Sequence, residues 1–137
     1  MEESLELQAP AIVFPGQTDT TSAYRVAFDL LSRRAPDEAL TVLEPALAED
    51  PRNTGLRTLR AWSYFVKVQL GPAEKELRSL VEETPDGIWT RYALGRTLER
   101  QSRYDDALPH LRLAAAMSGD PEHELAVLRV ERLAGKL

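Results

Sequence analysis

A period of 34 residues constrains this chain more than any other feature. Ala39, Ala73 and Ala107 stand 34 apart. Leu43, Leu77 and Leu111 keep the step, as do Ala27, Ala61 and Gly95, and Leu30, Tyr64 and Leu98. Pro51 and Pro85 continue it. A period of this size means a supersecondary unit that cannot bury its apolar face alone and must stack on copies of itself.

The 137 residues hold three such units, 20–53, 54–87 and 88–119. Each reads as two helices. The first helices are expected over 22–34, 56–70 and 88–101, and the second over 37–49, 72–83 and 104–117. Small residues at 27, 61 and 95 oppose small residues at 39, 73 and 107, so paired backbones can approach closely. Pro36 and Pro72 lie near second-helix starts, where a missing N–H costs little. Pro45 lies deeper, and a local kink is expected there.

Residues 1–19 precede the repeats as an extended arm. The arm has no basic residue, carries Glu2, Glu3, Glu6 and Asp19, and includes the apolar run Ala11-Ile12-Val13-Phe14. Residues 120–137 follow the repeats. Asp120-Pro121-Glu122 reads as an N-cap, a proline and an acidic first turn. Leu125, Leu128, Arg129 and Arg132 then recur at helical spacing, which predicts a polar-backed capping helix.

The pattern resembles the tetratricopeptide repeat over about 100 residues. The third unit carries it best, in Leu94-Gly95, Leu98, Tyr104, Ala107, Leu111 and Ala114. Arg57 and Arg60 depart from it, standing where the family has large apolar residues, so the helix there is expected to be rotated or packed differently. The resemblance implies an all-α solenoid of three helix-turn-helix repeats plus a C-terminal capping helix. It also implies a concave, ligand-binding surface along the first helices. The family's clamp for the acidic C-terminus of heat-shock chaperones uses lysine and asparagine there. Tyr24 and Phe28 occupy such places here, a groove character closer to that of small bacterial secretion chaperones.

Catalytic chemistry is thinly represented. There is no cysteine, which removes thiolate nucleophiles and cysteine-based zinc sites. His110 and His123 have no metal-ligand spacing to each other, and no phosphate-binding glycine loop or HExxH motif occurs. Asp105-Asp106 and Glu82-Glu83 sit at expected helix ends, where Asp105-Asp106 favour the helix dipole. No metal, cofactor or enzymatic activity is expected. A net charge of −5 and a pI near 5.1 argue against nucleic acid. No apolar run reaches the ~20 residues of a membrane span, and the acidic start lacks the order of a signal peptide, so a cytoplasmic location is expected.

The first helices, projected at 100° per residue, place six of the nine aromatic residues opposite the helix-packing side. These are Tyr24, Phe28, Trp62, Phe65, Trp89 and Tyr92, with Arg25, Arg96 and Arg100 beside them. Nine basic residues against two acidic ones lie on the first helices. The first two second helices are strongly acidic. The expected function is a noncatalytic interaction module binding an acidic, apolar peptide or helix in an aromatic, basic groove. Two alternatives are a small chaperone sheltering one apolar client segment, and a self-assembling unit, such as a homodimer, whose groove is filled by its own N-terminal arm.

Overall fold

The computed structural model describes residues 7–10 and 19–136, with residues 19 and 20 described by backbone alone. Expectations for residues 1–6 and 11–18, the apolar run 11–14 included, lie outside the described residues. Among the described residues there are seven helices and no strand. They are α1 (Asp19–Ser32), α2 (Pro36–Glu49), α3 (Thr54–Val66), α4 (Leu70–Glu83), α5 (Ile88–Arg100), α6 (Tyr104–Ser118) and α7 (Pro121–Leu133). This is the all-α, helix-turn-helix repeat class the 34-residue period requires. The chain falls into two compact units, Met1–Glu76 and Leu77–Leu137. In the first, α1 packs on α2 and α3, and α2 on α3; in the second, α6 packs on both α5 and α7.

The small-residue columns explain the close pairing. Ala27, Ala39, Ala61, Ala73 and Ala107 are all fully buried. At Gly95 a Cβ would stand 2.6 Å from Leu111 Cδ2, 2.7 Å from its Cγ and 3.3 Å from its backbone N. Only hydrogen fits between α5 and α6 at that point, so glycine there is a packing requirement rather than a conformational one.

The period is also written in the backbone. Arg34, Val68 and Ser102, again 34 apart, have φ of 60°, 60° and 62°. After each first helix the next amide reaches back to the same carbonyl: Ala35 N to Leu30 O at 2.8 Å, Gln69 N to Tyr64 O at 2.8 Å, Arg103 N to Leu98 O at 3.0 Å. These are left-handed helix endings of the Schellman type, built here without glycine.

Caps settle other boundaries. Asn53 accepts from Leu56 N at 3.0 Å and starts α3. Asp120 accepts from Glu122 N at 2.9 Å and starts α7, with Pro121 in its first turn. Helices α2 and α6 run on past the exposed Pro45 and Pro109.

One expectation is resolved and one is corrected. Helix α3 keeps Ala61 and Leu59 fully buried, and its arginines are accommodated by an acid rather than by rotation. Arg57 Nε lies 3.0 Å from Glu76 Oε2 and Arg60 Nε lies 2.6 Å from Glu76 Oε1, tying α3 to α4. Helix α7 is not polar-backed. It buries Ala126 and Val130 and leaves Leu125, Leu128 and Leu133 at least half exposed. Arg129–Glu99 and Glu131–Arg112 ion pairs flank Val130 on either side and fix this rotation.

Candidate functional site

The candidate residues do not share one environment. In the first unit, Tyr24, Trp62 and Phe65 are 2%, 5% and 2% exposed. Tyr24 stacks on Phe28 with centroids 6.2 Å apart, and Phe28 meets Trp62 edge-on at 5.8 Å. The Tyr24 ring also lies 3.1 Å from where a Cβ on Gly55 would stand. Thus the three buried rings are core, and among the first-unit candidates only Phe28, half-buried, and Arg25 reach the surface. In the second unit Tyr92 and Arg96 are buried, while Trp89 and Arg100 are half-buried. Arg25, Trp89 and Arg100 also make contacts within the chain.

The physical reason lies in the projection, which grants each first helix one covered side. Helix α5 buries every residue from 92 to 99, being covered by α6 on one side and touched by α7 on another. Helix α3 likewise meets both α1 and α2. A ring on the side opposite its own partner helix is then covered by another helix, as Trp62 meets Phe28 of α1 and Tyr92 meets His123 of α7.

Charge segregation has a similar explanation. Much of the positive layer is engaged inside the chain. Arg57 and Arg60 hold Glu76, Arg60 approaches Glu44 at 3.9 Å, and Lys67 Nζ lies 2.6 Å from Asp37.

One cluster stands apart, and sequence reasoning found only part of it. Glu99 receives Arg129 through two short bonds, Nε at 2.6 Å and Nη2 at 2.8 Å. This bond, ahead of the opposing effect of burial, raises the Arg129 pKa. Arg96, with no exposed surface, places Nε 3.1 Å from Glu99 Oε1 without hydrogen-bond alignment, and its Nη1 lies 3.4 Å from Tyr92 Oη. Arg96 Nε and Nη2 are buried with no hydrogen-bond acceptor. Two guanidiniums therefore share one carboxylate. The Tyr92 ring, in turn, stacks on His123 with centroids 4.0 Å apart. The 30-residue separation of Glu99 and Arg129 hides this pair from any local motif search.

His123 also completes a serine–histidine–aspartate set. Ser118 Oγ lies 2.8 Å from His123 Nδ1, and His123 Nε2 lies 4.0 Å from Asp120. All three residues belong to the α6–α7 turn, and Ser118 Oγ accepts from Asp120 N at 3.0 Å. The set caps a turn and lacks the aligned, tightly bonded relay that nucleophilic catalysis needs. Among the described residues no three His, Cys, Asp or Glu side chains come together to hold a metal. Two shallow clefts, of about 350 and 320 Å³, lie beside Tyr104 and Leu133 and beside Leu47 and Arg60, and neither is lined by a candidate residue. No described helix is long and apolar enough to cross a membrane.

Comparison with known proteins agrees with the fold. No curated protein sequence matches the chain. Among solved structures, MamA of AMB-1 superposes with a TM-score of 0.74 at 21% identity, covering 90% of this chain and 69% of MamA. MamA of MSR-1 gives 0.75 at 21% identity over 87% of this chain and 69% of its own. At such identities the likeness is one of fold. The family model for the tetratricopeptide repeat matches residues 30–97. With the 34-residue backbone register, the paired helices and that match together, the chain is seen to carry the tetratricopeptide repeat.

Proposed function

We propose that this chain is a noncatalytic protein-interaction module in which α5 receives an acidic, apolar segment of a partner. The observation that carries the acidic preference is Arg96. It is fully buried, two of its N–H groups have no acceptor, and its cluster holds two guanidiniums against one carboxylate. Buried donors without acceptors are uncommon and each calls for an explanation. The cluster carries one more positive charge than negative, and its field, reaching the surface through the part-exposed Arg129, favours an acidic partner. Trp89 and Arg100 of the second unit, which keep some exposure, are the contact residues of this reading. Aromatic and arginine side chains dominate binding energy at protein interfaces.

The test uses a synthetic peptide of residues 1–16, which is acidic and apolar, added in trans to the full chain. Fluorescence anisotropy is expected to show binding that weakens when its glutamates become glutamines. Trp89→Ala and Arg100→Glu should each weaken it about tenfold or more with helical circular dichroism unchanged. Equal binding of the acidic and neutral peptides would remove the acidic preference.

A second reading, with the arm packing on the first unit, is supported by one observation. Pro10 is buried and Leu7 half-buried, although terminal segments are ordinarily exposed.

A further inference from the structure

The connection between α4 and α5 is held by a side chain with a titratable neighbour. Residues 84–87 form this turn, with Gly87 N donating to Thr84 O at 3.1 Å and Thr84 N to Leu80 O at 2.9 Å. Arg91, one turn into α5, reaches back and donates from Nη2 to the Pro85 carbonyl at 2.6 Å. Its Nη1 lies 3.4 Å from His110 Nδ1 on α6. The Arg91 Nε is buried with no hydrogen-bond partner among the described residues, and Nη1 and Nη2 make these two contacts. One of the two depends on a ring nitrogen that accepts only while it carries no proton.

The charges around His110 are unbalanced. Arg91 on α5 and Arg78 on α4 both oppose its protonation, and Asp106, one turn earlier on α6, favours it. Burial is the largest influence, and together these hold the imidazole below its ordinary range. In the neutral tautomer that carries its proton on Nε2, Nδ1 accepts from Arg91. In the protonated state that acceptor is gone and a like charge faces the guanidinium a few ångströms away.

We propose that His110 is a proton-operated latch on the α4–α5 connection. When the imidazole takes up a proton, Arg91 leaves its place between His110 and the Pro85 carbonyl, and residues 84–87 loosen. Trp89 sits two residues beyond this turn, at the start of α5, so the loosening reaches a side chain that keeps some exposure.

The test is hydrogen–deuterium exchange of the full chain, read at the Thr84 and Gly87 amides and corrected for intrinsic rates, at about pH 7.5 and about pH 4.5, the lower value set well under 6.5 because the His110 pKa is lowered. These amides are expected to exchange about tenfold faster, after correction, at the lower pH. His110→Gln keeps a side-chain acceptor and cannot become charged, so its protection should be high and equal at both pH values. Arg91→Met should exchange fast at both. Equal protection of the unaltered chain at the two pH values overturns the latch. So does a His110→Gln protein that retains the full pH response, or an Arg91→Met protein as protected as the parent at the higher pH.

Discussion

Replacing Glu99 with glutamine isolates the energetics of the buried charge cluster. The substitution keeps volume and one acceptor oxygen and removes a single charge. Glu99 is 7% exposed, Arg96 is not exposed, and Arg129 retains 24% of its side-chain surface. After the change two guanidiniums face each other across a neutral amide whose NH2 group also donates. Removing one partner of a buried ion pair costs about 3–5 kcal/mol. The partial exposure of Arg129 places the expectation near the lower end, about 3 kcal/mol. Unfolding entropy of about 2.1 cal/mol/K per residue makes 1 kcal/mol worth roughly 3–4 °C for a chain of this length. The melting temperature, followed by circular dichroism at neutral pH, should therefore fall by about 10 °C. A fall of less than about 2 °C would refute the reasoning. A companion variant separates charge from packing. Arg96→Met, Glu99→Leu and Arg129→Met together leave no buried charge, and such wholesale replacement is often neutral or stabilising. If this triple variant is as unstable as Glu99→Gln, the cost lies in shape and not in unpaired charge.

Gly95→Ala should lower stability by about 1–3 kcal/mol through overpacking against Leu111, more than offsetting the roughly 1 kcal/mol gained in helix propensity; an unchanged melting curve would contradict the α5–α6 approach. Trp62→Ala should act on the core and not on binding alone, costing about 3–5 kcal/mol in urea denaturation, and a fully stable variant would mean the ring is not core. Lowered His110 protonation gives its own pH signature. The contribution is complete above the ordinary value of 6.5, where both states are neutral, and is lost as pH falls through the lower folded value, because the unfolded chain then binds more protons. His110→Gln should flatten the melting temperature against pH in that window, and a parallel curve would exclude the effect.

The pairing of helices was legible because small residues at 27, 39, 61, 73, 95 and 107 mark close approach whatever surrounds them. The rotation of each helix was less so. Trp62 and Tyr92 are amphipathic enough to suit either a groove or a core, and only the number of neighbouring helices decides. Leu125 and Leu128 have the spacing of a core stripe, yet Ala126 and Val130 face inward because ion pairs on both flanks hold them there. The basic character of the first helices was real, but Glu76 and Asp37 on the second helices take up part of it. Those partners lie 16 to 30 residues apart in sequence, beyond the reach of local spacing.

The left-handed turns at Arg34, Val68 and Ser102 leave this chain with unspent room for improvement. Each holds a side chain where glycine costs least, and a β-branched valine is the most strained of the three. Because each site closes its own helix through its own backbone bonds and shares none of them with the others, changes at them should add. Glycine at position 68 alone should raise stability by about 1 kcal/mol, readable as a higher melting temperature, and no gain would show that the turn bears no strain. The repeat thus carries a graded adjustment of rigidity that selection, or a designer, can set one unit at a time.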